Sequence, residues 1–340
     1  MQISNNSFVH LHSHSCYSIL DANNRVDDYV KQVKENGQTA CALTDHGVMY
    51  GIISFYHACE KYSVKPILGC EVYVAPKSRF DKDPKHRYNH LVLLAENNEG
   101  FNNLQKICSQ GFIDADAMYY GKPRVDDEVL AQNHTGIIAL SACLAGAIPE
   151  RILADKYDKA KEKALHYRDL FGKDNFFLEI QDHNDKNEEL VAQQLYKMSK
   201  ETGIPLVATN DCHYTKASDA EAHKILLYMR DQKNINCPSS DYGNGQLYVK
   251  TSQEMADLFP YATEAIENTV KIADRCNVTI KFHETKMPKA PVPDGLTSTQ
   301  FLTEMCQKGL KERYAGSDRL PELAKQMSYE LSVIDKMGYT

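Results

Sequence analysis

The chain has 340 residues, 42% hydrophobic and 25% charged, an ordinary globular composition with room for a substantial core. Its net charge of −7 argues against a protein that coats nucleic acid through bulk basicity. No apolar run is long enough to span a bilayer, and the opening MQISNNSFVH lacks the basic and apolar regions of a signal peptide. No membrane partner and a cytoplasmic location are therefore expected. The ten cysteines are scattered without a CxxC pair and are read as reduced thiols, individually available to a metal.

The first element expected is a strand over FVHLHS (8–13). His10, His12 and His14 are spaced by two, and Asp21 follows in the next loop. Alternate residues of a strand face one side, so three imidazoles are aimed into one space. That is costly unless something there uses nitrogen lone pairs. Further strands are expected over ACALTD (40–45), KPILGCEVYVA (65–75), NHLVLLA (89–95), GIIALSA (136–142), FFLEIQ (176–181) and PLVATN (205–210). Helical patterns lie between them, near 25–36, 51–62, 98–110, 156–171, 185–202 and 217–231. Gly37, Gly111 and Gly203 stand just past three of these, where a C-terminal cap is expected. Strand alternating with helix argues for βαβ units and a parallel sheet. About seven such units in some 210 residues argue for a barrel over an open sheet.

Between the third and fourth strands, KSRFDKDPKHRY (77–88) departs from the acidic average. It is suited to touching phosphates, and equally to being a solvated loop. After residue 231 the pattern changes. DQKNINCPSSDYGNGQ is loop-like, and helices are expected near 252–258 and 261–276. KMPKAPVPDGLTS (286–298) reads as a proline-rich linker before helices near 298–315 and 320–337. The chain stops at MGYT without a terminal cap, as a cut through a larger protein would.

The metal-capable residues fall at strand ends. His12 and His14 end the first strand, Asp45 and His46 the second, Cys143 the fifth, and Asp211 and His213 the seventh. Glu71 lies in the third, and His90 opens the fourth, the exception to a shared C-terminal rim. A set of imidazoles, carboxylates and one thiolate suits zinc, manganese or iron, and it exceeds one tetrahedral site. A multi-metal site of this type activates water and clamps a phosphoryl group. His10 and Asp45 are expected behind the ligands, holding them in place. His183 is a weaker candidate, while His57, His86, His134, His166, His223 and His283 read as surface or helix positions.

In order along the chain, HLHSHSCYSILD, ALTDHGVMYG, KPILGCEVYV, NHLVLLA, LSACLAG and ATNDCHY resemble the polymerase-and-histidinol-phosphatase (PHP) domain. More narrowly they resemble the amino-terminal PHP domain of the bacterial DNA polymerase III alpha family, of the DnaE type that no proofreading domain interrupts. RCNVTI, PDGLTSTQFL, KGLKERY and ELSVIDKMGY resemble its junction into the polymerase palm. The resemblance implies an α/β fold, a distorted seven-stranded (β/α)7 TIM-like barrel, over 1–284, then a linker and the first palm helices, truncated, over 285–340. It implies a trinuclear site on His12, His14, Asp21, His46, Glu71, His90, Cys143, Asp211 and His213, with three divalent ions, zinc or alternatively manganese or iron. Asp211, His213, His46 and Glu71 are the expected catalytic members of that set. The implied reaction is phosphodiester hydrolysis at a DNA 3′ end, a 3′–5′ exonuclease. Lys77, Arg79, Lys85 and Arg87 are then the candidate DNA contacts, and other replicase subunits the further partners. The polymerase's own catalytic carboxylates would lie beyond Thr340, so this chain is not expected to polymerise.

Two other readings stay open. One is a free-standing PHP phosphatase acting on a small monoester such as histidinol phosphate, against which the GLTSTQFL…GLKERY tail argues. The other is a structural scaffold or docking domain with non-catalytic metals, since metal binding is also folding free energy.

Overall fold

The structure is a computed structural model that describes residues 7–85, 87–237, 242–284 and 288–340. The chain forms two compact units, one ending at Thr279 and one spanning Ile280–Thr340. In the first, β1 (Ala40–Leu43), β2 (Lys65–Val74), β3 (Asn89–Ala95), β4 (Met118–Tyr119), β5 (Lys122–Val125), β6 (Ile137–Leu140), β7 (Phe176–Ile180) and β8 (Leu206–Ala208) form one sheet. Its order is β4-β5-β2-β3-β6-β7-β8, with β1 also on β2.

Residues 8–13 run extended and join both ends of this sheet by single bridges, His10 to Cys41 in β1 and Ser13 to Cys212 beyond β8. Ala42 N donates to His10 O at 2.7 Å, and His14 N donates to Cys212 O at 2.8 Å. The ring is thereby closed. Segment 8–13, β1, β2, β3, β6, β7 and β8 are the seven staves expected from sequence.

Strand direction departs from the expected parallel sheet. β1–β2, β6–β7 and β7–β8 are parallel, but β3 is antiparallel to both β2 and β6. A parallel neighbour needs a crossover, usually a helix, and a loop rather than a helix joins β2 to β3. The chain therefore turns back, which brings the start of β3, with His90, to the rim where the other strands end. β4 and β5 were not expected. They form a hairpin whose two-residue turn, Tyr120–Gly121, has φ of 50° and 70°, the left-handed pair that matches strand twist.

The helices are α1 (Val26–Glu35), α2 (Ile52–Tyr62), α3 (Asn98–Ile113), α4 (Asp127–Gln132), α5 (Ala147–Leu153), α6 (Tyr157–Phe171), α7 (Lys186–Thr202), α8 (Ala220–Arg230), α9 (Ser252–Leu258) and α10 (Thr263–Arg275). The short α4 and α5 escaped the periodicity reading. Gly203 caps α7 with φ 72°, as expected. Gly111 does not cap; it lies inside α3, where a Cβ would stand 3.0 Å from the carbonyl carbon of Pro123 in β5. Its role is close approach of helix to strand.

Alternation along β3 divides the core. Leu91 and Leu93 join the cluster shared with Leu104 and Ile107 of α3, while Val92 and Leu94 join Ile67, Ile138, Phe177 and Val207 on the opposite face. His90 has the parity of Val92, and Glu71 that of Ile67, so both belong to the face turned away from α3. Among the described residues, no helix is long and apolar enough to cross a membrane.

The second unit holds α11 (Ser298–Tyr314) and α12 (Leu320–Lys336). Thr297 and Gln300 cap α11 reciprocally, and no residue of either helix is buried. Lys286 and Met287 of the expected linker, and His86, lie outside the described residues.

Candidate metal centre

Side chains from distant parts of the chain meet at one rim of the barrel. Glu71 is the hub. Its Oε2 lies 2.6 Å from His46 Nδ1 and 3.5 Å from His14 Nε2, and its Oε1 lies 2.8 Å from His90 Nδ1 and 3.4 Å from His12 Nε2. Asp211 Oδ1 stands 3.2 Å from His12 Nε2 and 3.1 Å from His14 Nε2. Asp21 Oδ2 is 2.8 Å from His46 Nε2. Cys143 Sγ is 3.7 Å from His90 Nδ1, and the His213 ring is 4.6 Å from that of His14. Three overlapping groups have ligand atoms within 4.8 Å of one another: His12, His14 and Glu71; His14, His46 and His213; His46, Glu71 and His90.

This donor set fits metal ions better than it fits itself. His46 Nδ1 and Nε2, Glu71 Oε2, Asp211 Oδ1 and His213 Nε2 are buried without any hydrogen bond, although several lie close together. Each unmet polar atom of this kind costs about 1–3 kcal/mol. A cluster of lone pairs aimed inward, too misaligned for hydrogen bonds, is what a cation coordinated from several sides would satisfy.

The groups behind these atoms set the imidazole faces. His12 Nδ1 donates to Glu179 Oε1 at 2.7 Å, His14 Nδ1 to Ser18 Oγ at 3.0 Å, and His213 Nδ1 to the Asp211 carbonyl at 2.7 Å. Each leaves Nε2 for the centre. Ser18 Oγ donates in turn to Asp45 Oδ1 at 2.8 Å, and Asp45 also accepts from Ser15 N at 2.7 Å. Glu179 is fixed by Ala142 N at 2.8 Å and Thr209 Oγ1 at 2.5 Å. Ala142 and Asp211 carry φ of 64° and 43°, strained values for residues with a Cβ, beside Cys143 and within the ligand set itself.

The electrostatics agree. Burial lowers the His14 and His213 imidazoles to about 4, which leaves them neutral. Burial also opposes charge on His46, but Glu71 and Asp21 outweigh it and raise the ring to about 10. Burial works against the Asp211 carboxylate, yet His12 and His213 hold it well below the usual range. Asp21, Glu71, Glu179 and Asp211 thus gather in one site that needs positive charge, which imidazolium protons or metal ions can supply.

A cavity of about 330 Å³ opens over the cluster, lined among others by Asp21, His46, His90, Cys143, Asp211 and His213. All nine expected ligands are therefore in one place. His10 is not among them. Its Nε2 donates to Lys250 O at 2.8 Å, so this ring turns away from the space that His12 and His14 share. His183 lines the cavity, but its nitrogens meet Glu188 Oε1 at 2.8 Å and Asn210 O at 3.0 Å. His223 is a helix residue as expected but is buried, its Nε2 against the Asp21 carbonyl at 2.8 Å.

The basic loop has its own organisation. Lys77, Lys85 and Arg87 are exposed. Arg79 is enclosed by Asp114, Asp126 and Glu128 at 2.8, 3.0 and 2.9 Å. Arg87 lies over the Tyr120 ring at 3.7 Å. Arg124, buried at the end of the β4–β5 hairpin, donates to the carbonyls of Arg79, Asp81 and Arg87 at 2.7, 2.6 and 2.9 Å. Sequence reasoning missed Glu179, Ser18 and Arg124. Only Glu179 announces itself, as a carboxylate inside the apolar run FFLEIQ.

Comparison with known proteins agrees with this geometry. The model of the PHP domain family matches residues 10–183, half of the chain, and the chain belongs to that family. It is 43% identical to DNA polymerase III subunit alpha of Treponema pallidum over 98% of this chain and 28% of that protein. Against the same subunit of Borreliella burgdorferi it is 36% identical, over 98% and 29%. Against that of Thermus aquaticus the figure is 38%, over 93% and 26%. The chain thus spans less than a third of the length of these relatives.

Proposed function

We propose that this chain is the PHP part of a DNA polymerase III alpha subunit, residues 1–284, followed by a linker and the first palm helices, and that it hydrolyses phosphodiesters at DNA 3′ ends. The observation that carries this reading is the set of buried lone pairs without hydrogen bonds, on His46, Glu71, Asp211 and His213, at the floor of an open cavity. Divalent ions held there, three in number and zinc with manganese or iron as alternatives, would activate water and neutralise phosphoryl oxygens. The chain's own residues have defined tasks. Glu71, through both oxygens, ties the His12–His14 side of the site to the His46–His90 side. Asp211 and His213 stand with His46 on the cavity wall, where a phosphoryl group would meet them. Cys143 adds a sulfur donor beside His90. The partners on this reading are a DNA 3′ terminus and, through the longer protein, other replicase subunits, in the cytoplasm.

The test combines elemental analysis with hydrolysis of a 3′-recessed primer. Wild type should carry two or three metal ions per chain and shorten the primer; His14→Ala and Asp211→Ala should lose metal and hydrolysis together. Unchanged metal content in both variants would falsify the ligand assignment. Metal retained by wild type with no hydrolysis would leave a folding role for the ions instead.

A further inference from the structure

The metal centre has an anionic floor with one guanidinium at its edge. Arg230, at the end of α8, lines the cavity with its side chain 33% exposed. Its Nη1 donates to Asp21 Oδ1 at 2.5 Å, and the hydroxyl of Tyr242 donates to the same oxygen at 3.0 Å. The other oxygen of Asp21 faces His46 Nε2. One carboxylate therefore separates the guanidinium from the lone-pair cluster. Behind the residues that line the cavity stands Lys122 of β5, half-buried, its ammonium 4.9 Å from the centroid of the Tyr73 ring, which stacks on His46 at 6.1 Å. Among the described residues, no carboxylate pairs with Lys122. Burial pushes this ammonium down, and Asp21 and Glu71 pull it back up. A desolvated cation without a paired anion is unfavourable unless an anion comes to it.

We propose that Arg230 and Lys122 form a subsite for the non-bridging oxygens of the phosphoryl group. The inference rests on the phosphoesterase reading and assigns the substrate-binding cations that the expected ligand set lacks. A guanidinium presents parallel N–H donors that match phosphoryl oxygens, and an ammonium adds a compact point charge. Arg230 holds Asp21 through Nη1 and Asp231 through Nε at 2.9 Å, which leaves its remaining guanidinium N–H groups for an anion. Asp21 is also an expected metal ligand, and a metal held by it would compete with Arg230 for its oxygens, leaving Nη1 for an incoming anion. Neither cation belongs to the basic loop at 77–88. The grip on the reacting group is thereby distinct from any contact along a DNA strand.

The experiment is calorimetric titration of the metal-loaded 340-residue chain with inorganic phosphate, with metal content measured on each sample. Arg230→Gln and Lys122→Gln should keep their metal and bind phosphate about tenfold more weakly each, with Arg230→Lys recovering part of the loss. Unchanged phosphate affinity in both Gln variants overturns the subsite. So does loss of metal from Arg230→Gln, which would make the arginine a support for Asp21, and so does a wild type that binds metal but no phosphate. The two readings fail separately. A wild type that hydrolyses esters while both variants bind phosphate normally loses the subsite and keeps the phosphoesterase. A wild type that binds phosphate through these residues yet hydrolyses nothing does the reverse.

Discussion

Glu179 shows how much a ligand depends on the residue behind it. Its Oε1 accepts a hydrogen bond from His12 Nδ1 at 2.7 Å while its Oε2 accepts from the backbone N–H of the strained Ala142. Glu179→Gln keeps the shape but offers an amide nitrogen where an acceptor is needed. Metal affinity should fall about 10- to 100-fold with the fold intact, read by competition with a metal indicator and by circular dichroism. Affinity within twofold of wild type would mean that His12 orients itself. His10 makes a different prediction. Burial lowers this imidazole from 6.5 to about 4. Between those pH values the unfolded chain binds a proton that the folded chain refuses, so stability falls as pH drops through 6.5 toward 4. In urea titrations across that window, His10→Asn should show a shallower pH slope than wild type. Parallel slopes would show that His10 does not carry the effect.

At the scale of elements, the direction of β3 is the decision that completes the site. Read as a parallel strand, NHLVLLA puts His90 at the wrong end; turned antiparallel, it places the ring 2.8 Å from Glu71. The strand itself could be found because its apolar run is local. Its direction could not, because direction depends on what joins β2 to β3 and on which neighbours accept its hydrogen bonds. The β4–β5 hairpin went unseen for a related reason: strands of two and four residues are too short to show a period. This hairpin also carries Arg124, which gathers the carbonyls of the loop before β3. Arg124→Ala should lower stability by about 3 kcal/mol or more, since several carbonyls lose their donor together, and should open residues 77–88 to proteolysis. A variant with wild-type stability and protease resistance would show that the loop holds its own shape.

For the molecule as a whole, the barrel closes through bridges at residues 10 and 13, beside the metal-side histidines. Closure and metal binding should therefore be linked. Removing metal with a chelator should lower the melting temperature of the barrel unit, because Glu71, Asp211 and Asp21 would then lose cations that offset their mutual repulsion. An unchanged transition, with metal loss verified, would separate the centre from barrel stability. The sequence by itself determined the seven staves and, through ordered motifs that resemble one family, which nine residues to expect around a metal centre, because strand runs, helix periods and such motifs are short-range patterns. Only the tertiary structure decided that β3 runs backwards, that His10 turns to the Lys250 carbonyl, that Arg79 is enclosed by carboxylates, and that Glu179, Ser18 and Arg230 stand around the cluster. Most of those are contacts between residues far apart in the chain, and no local pattern records which side chain a folded barrel will set opposite another.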